Sequence, residues 1–61
     1  MTKQKQLIIQ ETFETCSLAM DDMLIRANDL GSAGLIGDAI DVREAVGKLE
    51  EVINNMRQRH S

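Results

Sequence analysis

Few residues of this 61-residue chain could do chemistry, and their spacing does not assemble them into a reactive site. The one cysteine, Cys16, cannot form an internal disulfide, and the one histidine, His60, cannot complete a zinc site with it. Four carboxylates lie on the outer half of the first predicted helix: Glu11, Glu14, Asp21 and Asp22. Carboxylates transfer protons or hold a metal only when they converge and are partly shielded from water. Because the chain lacks the Glu-x-x-His motif of di-metal bundles, we expect a solvated acidic face and no metal.

Three glycines at regular intervals also fail to indicate a ligand site. Gly31, Gly34 and Gly37 are spaced by three, but no predicted strand precedes them, as a dinucleotide-binding site would require. The chain has no nucleophile–base pair and no cofactor fingerprint. We therefore predict that the protein is not an enzyme and has no catalytic residue and no cofactor.

The sequence does specify two helices. Apolar residues alternate spacings of four and three in two segments, which is typical of a coiled-coil seam. The first segment contains Ile9, Phe13, Cys16, Met20, Met23, Ala27 and Leu30, and the second contains Leu35, Ala39, Val42, Val46, Leu49, Ile53 and Met56. We predict a single all-α domain over residues 1–61, an antiparallel helical hairpin.

The predicted boundaries follow from capping residues. Thr2 can cap a first helix over about 3–30, and Gly31-Ser32 suits a turn, with Gly31 left-handed and Ser32 capping the second helix over about 33–58. Asp38 is an alternative cap, so a start of the second helix near Ser32 or near Asp38 stays open.

A chain this short needs a disulfide, a metal or a partner to become stable, and only a partner remains. We predict that two hairpins dimerise into a four-helix bundle. Folding about the turn makes every layer of the seam apolar on both sides. The central layers predict a dimer core of Phe13, Cys16, Met20, Met23, Val42, Val46, Leu49 and Ile53.

Several apolar residues point away from the seam on a helical wheel. The clearest are Leu18, Ile25, Ile36 and Ile40, and three of them lie towards the turn. A cluster of exposed apolar residues can mark a contact surface. The set predicts a protein-binding surface, with the alternative that the second hairpin or a splayed helix covers part of it.

Charge and composition limit the partners. Ten acidic and seven basic residues give a net charge of −3, which disfavours nucleic acid, and one aromatic residue cannot form a stacking platform for bases. Apolar runs of three residues do not predict a membrane span or a signal peptide. A free thiol without an export signal favours the cytoplasm.

Short motifs in this hairpin resemble the Rop family of plasmid copy-number regulators. The chain begins Met1-Thr2-Lys3-Gln4, Asn28-Asp29-Leu30 precedes the turn, and five residues separate Leu30 from Leu35. The resemblance implies an antiparallel dimeric four-helix bundle that binds paired RNA loops through one face of helix 1.

The chain departs from that family at its RNA-binding face. The corresponding positions hold Glu11, Thr15, Ala19 and Arg26, of which only Arg26 has suitable chemistry, and a carboxylate repels phosphate. Our leading prediction is therefore a small regulatory or adaptor protein that binds itself and another protein. The alternative is an RNA-binding regulator, with RNA contacts from Lys3, Lys5, Arg26, Arg57 and Arg59.

Overall fold

The fold is a hairpin of two long helices. The computed structural model describes residues 2–61, which form α1 (Lys3–Ser32) and α2 (Ile36–Arg59) and contain no strand. The helices pack against each other along a molecule whose Cα atoms span 48 × 16 × 10 Å, so the hairpin is a single layer of two helices. The predicted all-α fold with two packed helices is confirmed.

Polar groups at the outer helix ends satisfy the exposed backbone. The Thr2 hydroxyl accepts a hydrogen bond from the Lys5 N–H at 3.3 Å, which is the N-cap that the sequence predicts. The last turn of α2 contains Arg57 and Arg59, whose charge favours the negative end of the helix dipole. Both termini therefore lie at one end of the hairpin, which we call the open end.

The turn lies later than predicted. Gly31 and Ser32 belong to α1, and the connection is 33–35, where Gly34 has φ of +83°. The Leu35 N–H donates to the Leu30 carbonyl at 2.9 Å, and the Gly34 N–H donates to the Gly31 carbonyl at 3.1 Å. These two bonds form a Schellman motif, which needs its left-handed residue at the position that Gly34 occupies.

The start of α2 differs from both predicted starts. Leu35 is its N-cap residue and makes no side-chain cap, so neither Ser32 nor Asp38 caps the helix. Asp38 instead lies in the first turn, where its carboxylate favours the positive end of the helix dipole. As the residue after the left-handed glycine, Leu35 is 49% exposed, although the seam pattern predicts that it packs in the apolar layer nearest the turn.

Two glycine substitutions test this turn. Gly34→Ala should destabilise the protein by about 1–2 kcal/mol, because a Cβ is strained in the left-handed region. Gly47→Ala should stabilise it by about 0.5–1 kcal/mol, because Gly47 is in the middle of α2 and its Cβ would meet nothing within 4 Å. Urea denaturation at one protein concentration measures both. If both variants changed the free energy of unfolding by the same amount and in the same direction, the left-handed assignment of Gly34 would be contradicted.

The core of the hairpin is one row of residues. The buried residues are Ala27, Ala39, Val46 and Ile53, which are 0–4% exposed. We letter the heptad of each helix so that these four residues occupy position a. All four then face the other helix from the same heptad position. Nine of the ten other seam residues are only partly buried and Leu35 is exposed, so one hairpin leaves most of its seam incompletely covered.

Candidate interaction surfaces

The hairpin has two unlike flanks beside its buried row. In an antiparallel pair the e positions of both helices lie on one side of position a, and the d and g positions lie on the other. We call the b, e and f positions of both helices the outer face, and the d and g positions the open flank. The chemistry of the two sides differs because their residues differ.

Polar side chains cover the core on the outer face. One groove there is lined by Ser17 and Met20 of α1 with Glu50, Ile53, Asn54 and Arg57 of α2. The guanidinium of Arg57 lies 5.5 Å from the centroid of the Phe13 ring, which is a cation–π distance. Phe13 is therefore partly covered within its own hairpin.

The open flank is apolar and largely uncovered. Its d positions are partly buried in both helices: Ile9, Cys16, Met23 and Leu30 in α1, and Val42, Leu49 and Met56 in α2. Uncharged g positions border them, namely Thr12, Ala19, Ala45 and Val52. The charged g positions, Lys5, Arg26, Asp38 and Arg59, lie nearer the ends. Val52 is 49% exposed, and the sequence prediction missed it as part of this surface.

The predicted core residues divide between the two layers of the seam. Val46 and Ile53 are buried, and Phe13 and Met20 occupy the same heptad row but are partly buried. The four others, Cys16, Met23, Val42 and Leu49, lie partly buried on the open flank. Six of the eight predicted core residues are therefore still partly exposed in the single hairpin.

The predicted protein-binding residues are all exposed. Leu18 is 66% exposed, Ile25 61%, Ile36 56% and Ile40 49%. All four occupy outer-face positions, and Leu18 lies two turns farther from the connection than Ile25. Leu24 occupies an e position, is 44% exposed and lies near Ile25, Ile36 and Ile40 at the turn. We call Leu24, Ile25, Ile36 and Ile40 the turn patch.

The predicted RNA-binding residues do not form one surface. Arg26 is nearly six helical turns, or about 30 Å, from Lys5 along α1, and its Nη1 lies 3.7 Å from Oδ2 of Asp29. Lys3 and Arg57 occupy outer-face positions, whereas Lys5 and Arg59 lie on the open flank. Lys3, Lys5, Arg57 and Arg59 thus lie at the open end on two sides of the hairpin, and Arg26 lies apart from them towards the turn.

The described residues contain no assembled metal site and no membrane span. Within residues 2–61, no three His, Cys, Asp or Glu side chains form a group that could hold a metal ion. Over the same range, neither helix is apolar enough along its length to cross a bilayer. Cys16 is a free, partly buried thiol on the open flank.

Comparison with known proteins adds no relative. No family model, curated protein or solved structure that was compared with the chain matches it. The resemblance to the Rop family therefore stays a prediction, and the functional argument depends on the surfaces themselves.

Proposed function

We propose that the protein is a homodimeric four-helix bundle that acts without catalysis, as a small regulatory or adaptor protein that binds another protein. In this proposal the open flank takes the second copy, and outer apolar side chains bind the partner. The two functions use opposite sides of the hairpin, so partner binding does not compete with assembly.

The exposed area of the hairpin supports a dimer. The chain exposes 4808 Å², whereas a compact monomer of 6.8 kDa is expected to expose about 4,000 Å². The excess, roughly 800 Å², is close to the share that each partner buries in a standard interface. The middle of the open flank, where the g positions are uncharged, is where this area can be buried without desolvating charges.

Exposure of the outer apolar residues is the observation that carries partner binding. Leu18, Ile25, Ile36 and Ile40 are 49–66% exposed, although the buried row and the open flank already supply the apolar layers that a bundle needs. Binding energy in helix recognition concentrates in a few apolar anchors of this kind.

A triple substitution separates partner binding from stability. Ile25, Ile36 and Ile40 changed together to glutamine should abolish partner recovery from lysate while Tm is retained, because surface changes shift stability by only about 0.5 kcal/mol each. The matched control is Leu7→Gln with Ile8→Gln, two residues that are each 55% exposed near the open end and should leave recovery intact.

Two results would contradict the proposal. A collapse of Tm in the triple variant would show that the turn residues belong to the core of the assembly. Recovery of RNA instead of protein, with loss of the bound material after nuclease treatment, would favour the alternative RNA-binding function.

A further inference from the structure

Charge is distributed unequally between the two sides of the hairpin. The outer face carries six carboxylates, Glu11, Glu14, Asp21, Glu44, Glu50 and Glu51, against three basic residues, Lys3, Arg43 and Arg57. The remaining positions carry four acidic residues, Asp22, Asp29, Asp38 and Asp41, and four basic residues, Lys5, Arg26, Lys48 and Arg59. The whole net charge of −3 therefore lies on the face that carries the turn patch.

Two glycines of α2 leave positions on the outer face without a side chain. Gly37 and Gly47 occupy f and b positions, and a Cβ on either would meet nothing within 4 Å. Neither glycine is required by contacts within the hairpin, yet Gly47, in the middle of α2, weakens the helix by about 0.5–1 kcal/mol relative to alanine. The missing side chain of Gly37, about one turn from Ile40, allows the backbone of another helix to approach closely, which is a recurrent use of glycine.

We propose that the turn patch and its acidic border bind a basic amphipathic α-helix of the partner protein. Ile36 and Ile40 are one turn apart on α2, and Leu24 and Ile25 lie on the outer face of α1, so the patch presents apolar anchors to the apolar stripe of such a helix. Asp21 and Glu44 border the anchors and outnumber Arg43, the basic residue of the outer face beside Ile40, so the border attracts lysine or arginine on the polar edge of the ligand.

The same charges exclude two other occupants. A second copy of this chain would bring two acidic outer faces together, and like charges across an interface are unfavourable. RNA would meet excess carboxylates on this face rather than a basic footprint. The inference rests on the proposed partner-binding function and adds the chemical class of the partner.

A designed peptide tests this inference with the full-length protein. The probe is a fluorescent amphipathic helix of about five turns made of leucine and lysine, and the comparison peptide has glutamate at every lysine position. Fluorescence anisotropy should show micromolar binding of the lysine peptide and no binding of the glutamate peptide. Ile36→Gln with Ile40→Gln should weaken binding at least about tenfold, since anchors dominate such contacts. Leu24→Gln, on the other helix, should weaken it in the same direction.

Matched charge changes locate the site. Asp21→Asn with Glu44→Gln should weaken the lysine peptide about three- to tenfold, because both carboxylates border the patch. Glu11→Gln with Glu51→Gln removes the same charge from the outer face towards the open end, about 16 Å or more along the helices from Ile25 and Ile40, and should leave binding within twofold. Equal losses in the two pairs would show general charge attraction and overturn the inference.

The remaining outcomes separate this inference from the proposed function. Failure of the lysine peptide to bind, or equal binding of the glutamate peptide, overturns the basic-helix assignment. If the lysine peptide fails in this way but the triple glutamine variant still loses its partner in lysate, the proposed partner-binding function stands. The partner would then have a different chemistry. Higher-order association of this chain that Ile36→Gln with Ile40→Gln removes would assign the patch to further copies and would overturn the inference.

Discussion

Val46→Asp should leave the chain largely unfolded. Val46 is 3% exposed in the middle of α2 and lies in the buried row between the two helices. A carboxylate there would be desolvated without a partner, which costs several kcal/mol. A domain of this size has a total stability of only about 3–9 kcal/mol. Far-UV circular dichroism should therefore show most of the helical signal lost at micromolar concentration.

An exposed position on the same helix provides the control for this change. Asn55 is exposed, so Asn55→Asp introduces the same side chain without desolvating it and should leave helicity and Tm nearly unchanged. Full helicity in Val46→Asp would show that the buried row does not hold the hairpin together, and the heptad assignment itself would then be wrong.

The two helices could be predicted from sequence because several local signals agree. The four-three spacing of apolar residues fixes the face of each helix, and Thr2 supplies a side-chain cap at the start of α1. The buried row, including Val46 and Ile53, consists entirely of residues from that spacing. Agreement between periodicity and capping is what makes such a prediction reliable.

The turn could not be fixed in the same way. Gly31 and Gly34 both suit a left-handed residue after a helix, and the choice between them depends on which carbonyls accept the last hydrogen bonds. Because Gly34 is the left-handed residue, α1 extends to Ser32 and Leu35 is exposed. The boundary therefore depends on the bonds from the Gly34 and Leu35 N–H groups, which form only when the turn has folded.

The division of the surface into two faces also needed the packed hairpin. A helical wheel places Ile25 and Ile40 away from the seam of their own helices, but it does not say whether they share a side of the molecule. The groove shared by Ser17, Glu50 and Arg57 shows that the e positions meet, which puts the turn patch opposite the open flank. The same arrangement assigns Val52, which the seam pattern omits, to the open flank.

Val52→Lys should dissociate the dimer, whereas Ile40→Lys should not. Both residues are on α2 and both are 49% exposed in the hairpin. Replacing either one with lysine should therefore destabilise a single hairpin to a similar extent. In a two-fold dimer through the open flank, Val52→Lys places one lysine from each protomer at the interface. Both lysines lose hydration there. We expect the dissociation constant to rise roughly a hundredfold, which corresponds to about 2.7 kcal/mol.

Sedimentation over a range of concentrations measures this difference. The unmodified protein and Ile40→Lys should sediment at twice the chain mass at micromolar concentration, with a Tm that rises with concentration. Val52→Lys should sediment as a monomer with reduced helicity. If Ile40→Lys dissociates the protein and Val52→Lys does not, the second copy lies on the outer face. The turn patch would then be a dimer contact, because one surface cannot hold both the second copy and a partner helix.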